Sequence, residues 1–177
     1  AQTTTAAHRR QRLRVATHEA HMLLEDTVAA RGYFETPAKY GEWLRRSHAF
    51  HRAIEHQVRA PAPGTDCGTR SADNDVNSGC RILIEQDLAD LDLVPYAVDV
   101  ADMGLPKLAP GGSSGLLAIR YVVEGANLGA RVLYKRALAL NFGPHRGARH
   151  LADRAARTSD WRDFVAELES LRCSEIE

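Results

Sequence analysis

From Ala6 to about Arg31, the apolar and small positions Leu13, Thr17, Ala20, Leu24 and Val28 recur at intervals of three and four, the spacing of one helical face. Gly32 closes this first amphipathic helix, and Pro37 opens a second that runs through LRRSHAFHRAIEHQV to about Val58. Between Ala60 and Gly79 the chain is dense in Pro, Gly, Asp, Asn and Ser, which predicts an exposed loop. A shorter helix is expected over RILIEQDLADL, and a break over LPKLAPGGSSG. Further helices are expected from Leu116 to about Leu140, from about Ala148 after the turn NFGPHRG, and from Ser159 to Leu171. The only candidate strand is the short VPYAVDV, so the fold class is all-α.

Length and composition narrow the function. A chain of 177 residues is expected to fold as one domain over 1–177, with 1–11 as a frayed N-terminus. Lysine plus arginine and aspartate plus glutamate both number 23, so no global basic surface recruits nucleic acid or an anionic membrane. The apolar runs are short and interrupted, and AQTTTAAHRRQR contains no hydrophobic leader core, so a cytoplasmic protein is expected. Cys67, Cys80 and Cys173 form no Cys-x-x-Cys pair and read as reduced thiols, with a Cys67–Cys80 pairing as the lesser alternative.

Two histidine helices carry the candidate chemistry. His21 shares the stripe of Leu13, Thr17, Leu24 and Val28, which places its imidazole toward the core, and Glu25 lies one turn on, where its carboxylate can fix the ring tautomer. Arg14, two turns earlier, can meet an anionic edge of whatever the histidine binds. SHAFHRAIE at 47–55 repeats the hydroxyl-His-x-x-His-x-x-x-Glu order of THEAHMLLE at 17–25. A dimetal site between such helices is one reading, but the Glu-x-x-His signature of carboxylate-bridged sites is missing. Amphipathic patterning is the other, with His48 and His56 solvated and His51 a satisfied interior group. No cysteine is expected on a helix poised as a nucleophile.

VVEGANLGAR at 122–131 sets Gly125 and Gly129 inside a helical run. Each interior glycine costs about 0.5–1 kcal/mol relative to alanine. Residues four apart share a face, so bare backbone is offered there to a crossing helix or a flat ligand.

The pattern Leu-Arg-x-Ala-Thr-x-x-x-His-x-x-Leu-Glu from Leu13 to Glu25, followed by Tyr-Val-x-Glu-Gly-x-x-Leu-Gly from Tyr121 to Gly129, resembles the bacterial haem oxygenase family. FHRAIE at 50–55, DLADL before the central break and WRDF at 161–164 resemble it in order and spacing, from Arg12 to Leu171. The resemblance implies a single haem-oxygenase-like helical bundle with a kinked, glycine-containing distal helix. His21 matches the proximal haem-iron ligand, Glu25 its supporting partner, and Thr17 and Arg14 the positions one and two turns earlier, with Arg14 toward a propionate. Gly125 and Gly129 match the distal glycines that bring backbone close to O₂ on the other haem face, and Tyr121 is a candidate distal contact.

The implied reaction opens haem, at once cofactor and substrate, to biliverdin, CO and Fe²⁺. O₂ is consumed, with electrons from an external donor of ferredoxin, flavodoxin or reductase type. Delivery of biliverdin to a phytochrome photoreceptor and release of iron are both compatible roles. Ala126 stands where some relatives carry an aspartate, and His150 where relatives often have an aromatic residue. These departures point to the alternative of a non-catalytic haem-binding or sensory protein, and the repeated histidine motif to a dimetal or pyrimidine-processing enzyme on a related scaffold.

Overall fold

The protein is represented by a computed structural model that describes residues 9–59, 70–97, 99 and 113–170. Six helices make up its regular structure there: α1 (Arg9–Arg31), α2 (Pro37–Arg59), α3 (Arg70–Ala89), α4 (Ser113–Ala139), α5 (Arg149–Ala156) and α6 (Thr158–Ser170). The described part of VPYAVDV is irregular, and no strand forms among the described residues.

Local chemistry sets the helix ends. Gly32 adopts φ +59° beyond α1, where a side chain would be strained. The Thr36 hydroxyl accepts the Lys39 amide at 3.3 Å, satisfying one free donor of α2 just before Pro37. α3 and α4 end alike, in a left-handed residue followed by an apolar one. After α3, Asp92 (φ 55°) bonds back to Ala89 O at 3.1 Å and Leu93 to Leu88 O at 3.0 Å. After α4, Asn141 (φ 63°) bonds to Leu138 O at 3.0 Å and Phe142 to Ala137 O at 3.1 Å. These paired bonds absorb the terminal carbonyls and fold Leu93 and Phe142 onto the core.

The core lies among α2, α3, α4 and α5, where Tyr40, Leu44, Cys80, Ile84, Leu88, Ala130, Ala137, Phe142, Ala148 and Leu151 pack together. α2 packs on α3, α3 on α5, and α4 on both α5 and α6. α1 stands apart. It has no buried residue and rests on α6, held by Arg9 Nη1 to Leu168 O at 3.2 Å and by the Arg10 amide to Glu169 Oε1 at 2.9 Å.

Several boundaries differ from expectation. The polar segment read as a loop over 60–79 is helical from Arg70; residues 60–69 lie outside the described residues. Asp, Asn and Ser are only modestly poorer helix formers than alanine, and the apolar face of Cys80, Ile84 and Leu88 extends its helix backward through them. Residues 9–11, expected to fray, belong to α1 and are tied to α6. α4 is α-helical throughout, its glycines included.

Candidate functional site

On α1, His21 Nδ1 lies 3.5 Å from Glu25 Oε1, an ion-pair approach rather than a tight hydrogen bond. Their side chains are 66% and 61% exposed, so the expectation of an imidazole toward the core is corrected. Of the expected stripe Leu13, Thr17 and Val28 are half-buried, but Ala20 and Leu24 beside His21 are exposed, and the main described packing of α1 is on α6. Thr17 donates its hydroxyl to Leu13 O at 2.9 Å, and Arg14 is exposed. Around His21 the helix exposes Val15, Met22, Leu23 and Leu24.

The glycines of α4 differ from one another. A Cβ at Gly125 would meet the Trp161 ring of α6 at 3.6 Å, an ordinary contact, whereas a Cβ at Gly129 would meet nothing within 4 Å among the described residues. Gly125 therefore lies under an indole and Gly129 is open. Tyr121 meets the same indole at a tilt of 54°, with ring centroids 5.6 Å apart. Leu128 and Val132 are exposed beside Gly129. α1 and α4 both lean on α6 and do not pack extensively on each other among the described residues.

An exposed imidazole with a carboxylate one turn away, apolar side chains on two helices that share a support, an exposed guanidinium at Arg14 and bare backbone at Gly129 fit a flat, apolar, anionic-edged iron macrocycle.

The second histidine motif serves the interior. His48, expected in solvent, is buried, and its Nε2 lies 2.9 Å from Glu85 Oε1. The α3 face that covers it carries charge, which the sequence of α2 alone does not show. Burial opposes ionisation of Glu85, but His48 and Arg81 together hold its carboxyl below the usual range. Arg81 also pairs with Glu55 at 2.9 Å. His51 is buried, with Nε2 3.4 Å from Cys80 Sγ, and His56 is exposed, both as expected.

Cys80 lies on a helix beside an imidazole, but burial pushes its thiol up and away from nucleophilic use. It is a free thiol; Cys67 lies outside the described residues. Among the described residues no group of three or more His, Cys, Asp or Glu side chains is placed to hold a metal, which removes the support for a dimetal site.

Two buried links had no separate signal in the sequence. Asp87 accepts the backbone amides of Arg149 at 2.9 Å and His150 at 3.1 Å, capping α5, and its Oδ2 lies 2.6 Å from His150 Nδ1. Arg154 donates to Asn127 and to Val123 O on α4. The four-residue step from Val123 to Asn127 is the pattern that could have marked Asn127 as buried. Ala126 beside it is exposed.

No protein-family model matches the chain. It is 31% identical over 179 aligned positions to the haem oxygenase PigA of Pseudomonas aeruginosa, covering 96% of this chain and 81% of that protein. It also resembles the NO- and CO-bound haem oxygenase of Neisseria meningitidis, with a TM-score of 0.69 and 28% identity over 97% of this chain and 80% of the other. Likeness sustained over nearly the whole length, on a shared all-helical architecture, means that this chain belongs to the bacterial haem oxygenase family.

Proposed function

We propose that this protein cleaves haem to biliverdin, CO and Fe²⁺ with O₂ and external electrons, seating the substrate between α1 and α4. The observation that carries the reading is Gly129. An interior glycine forfeits about 1 kcal/mol of helix stability, yet no described neighbour requires it, since its Cβ would meet open space. Its bareness serves something outside the packing of the described residues.

Bound haem supplies the iron that activates O₂ and the macrocycle that is opened. The protein's share is binding and orientation. The His21 imidazole would take the iron, and Glu25, now 3.5 Å from Nδ1, is near enough to orient the ring by closing on that nitrogen. Arg14, exposed on the same helix, would meet a propionate, and Thr17 is tied back to Leu13 O one turn before His21. Met22, Leu24, Leu128 and Val132 offer apolar surface that excludes water from the ring faces. Open backbone at Gly129 would allow close approach on the second face, while Gly125 faces the Trp161 indole, against which Tyr121 packs.

Electrons come from a ferredoxin-, flavodoxin- or reductase-type donor in the cytoplasm. No described helix is long and apolar enough to cross a membrane. Supply of biliverdin to a phytochrome and recovery of iron are both compatible with the site. His150 is a buried partner of Asp87, so it gives no support to a non-catalytic haem carrier.

Adding hemin to the purified protein, then a reductant and O₂, tests the reading. A Soret band that decays to a biliverdin absorption is expected; a Soret band that persists unchanged under reductant and O₂ contradicts cleavage, and none at all contradicts binding.

A further inference from the structure

α4 keeps its core contacts and its glycines on opposite sides. Val123, Asn127 and Ala130 are buried at 9%, 3% and 1% exposure. Gly125 and Gly129 each follow one of these by two residues, roughly 200° around the helix. Arg154 of α5 grips the core side: its Nε donates to Asn127 Oδ1 at 2.8 Å and its Nη2 to Val123 O at 3.2 Å. Val123 O is also the carbonyl that helical geometry assigns to the Asn127 amide. One guanidinium therefore holds both ends of the single turn that contains Gly125.

The grip is anchored on both sides. Asn127 Nδ2 donates to Glu124 Oε2 at 3.0 Å, which fixes the amide with its oxygen toward Arg154. Arg154 sits on α5, which packs on α3, and the Cys80 thiol of α3 lies 3.4 Å from His51 on α2. The turn is thus fastened through α5 to α3. A planar donor with two acceptors on one turn restricts translation and rotation of that turn together, which a single-point tie does not.

We propose that Arg154 is a positioning residue that sets how far the Gly125–Gly129 backbone stands from the substrate, and thereby the rate and regiochemistry of ring opening. The proposal rests on the haem-cleavage reading above. Arg154 does not touch substrate; it acts through α4. A misplacement of about 1 Å at a reacting centre costs on the order of a hundredfold in rate, so a loosened turn should reduce turnover more than binding.

The test compares Arg154→Met and Arg154→Lys with wild type, and uses Arg131→Met as a reference, since Arg131 Nε ties α4 to Ala155 O of α5 from the exposed side at 3.3 Å. Amide hydrogen exchange is read on the haem-free proteins. Hemin affinity, turnover per bound haem and biliverdin isomer ratio are read on the loaded ones. In Arg154→Met, exchange at residues 125–129 should quicken by about tenfold or more while the α2 amides are unchanged. Hemin affinity should stay within about threefold, with turnover down about tenfold and the isomers mixed. Arg154→Lys, which can keep one acceptor but not both, should fall between, and Arg131→Met should match wild type.

Unchanged exchange at 125–129 overturns the proposal. So does uniform loosening through α2 to α5 with haem binding and turnover falling in parallel, the mark of a purely structural tie. If wild type makes no biliverdin, the cleavage reading fails and takes the catalytic half of the proposal with it, while the exchange data still decide whether Arg154 holds the turn.

Discussion

His150 Nδ1 lies 2.6 Å from Asp87 Oδ2, with both side chains buried from solvent. The same carboxylate caps α5 through two backbone amides, and its other oxygen lies 3.2 Å from Arg149 Nη1. One aspartate on α3 thereby fixes where α5 starts, and α5 carries Arg154. Asp87→Ala removes the cap and strands a buried imidazole, while Arg149 keeps Asp90, so it should cost about 2–4 kcal/mol of stability. Urea denaturation checks this; an unchanged midpoint would show that α5 is positioned by packing alone.

Acid should weaken the fold first through His150. Burial lowers its pKa, with the Asp87 contact opposing and Arg154 and Asp153 acting in opposite senses nearby. Because the folded value lies below the unfolded one of about 6.5, the unfolded chain takes up the proton first, and stability falls as the pH drops below about 6.5. Asp90, held low first by its hydrogen bond from Arg149, and Glu85 keep their charge further into acid, so their contributions are lost only at lower pH. Melting temperatures between about pH 7.5 and 5.5 should decline more steeply for wild type than for His150→Gln. Parallel declines would assign the effect to other groups.

Gly129→Ala separates stability from function. With open space at the Cβ, the haem-free variant should gain about 0.5–1 kcal/mol from helix propensity. The added methyl should reduce turnover of haem. A variant that is neither more stable nor less active would remove the reason for reserving that glycine.

The helices were legible because their apolar spacing is their packing: Tyr40 with Leu44, and Cys80 with Ile84 and Leu88, are steps of four along core faces. The left-handed ends at Asp92 and Asn141 were less so, because neither carries the glycine that usually marks them. His21 and Glu25 were found by spacing and family likeness, but their exposure was not, since periodicity tells which residues share a face and not what covers it. His48 failed for the converse reason: its partner Glu85 lies 37 residues on, on another helix. Arg154 gave no signal, as its acceptors include a backbone carbonyl that every residue possesses.

His51→Ala should separate interior from site. Losing the buried contact with Cys80 should lower stability by roughly 1–3 kcal/mol, while turnover by the folded fraction stays close to wild type. Loss of turnover without loss of stability would move the site from α1 to α2.

The most direct measurement is hemin titration and aerobic turnover of His21→Ala beside wild type. His21 is exposed and packs against nothing in the core, so its removal should leave melting unchanged. Wild type should yield biliverdin, and His21→Ala should lose the histidine-ligated haem spectrum and form none. Biliverdin formation by His21→Ala at the wild-type rate would contradict the account.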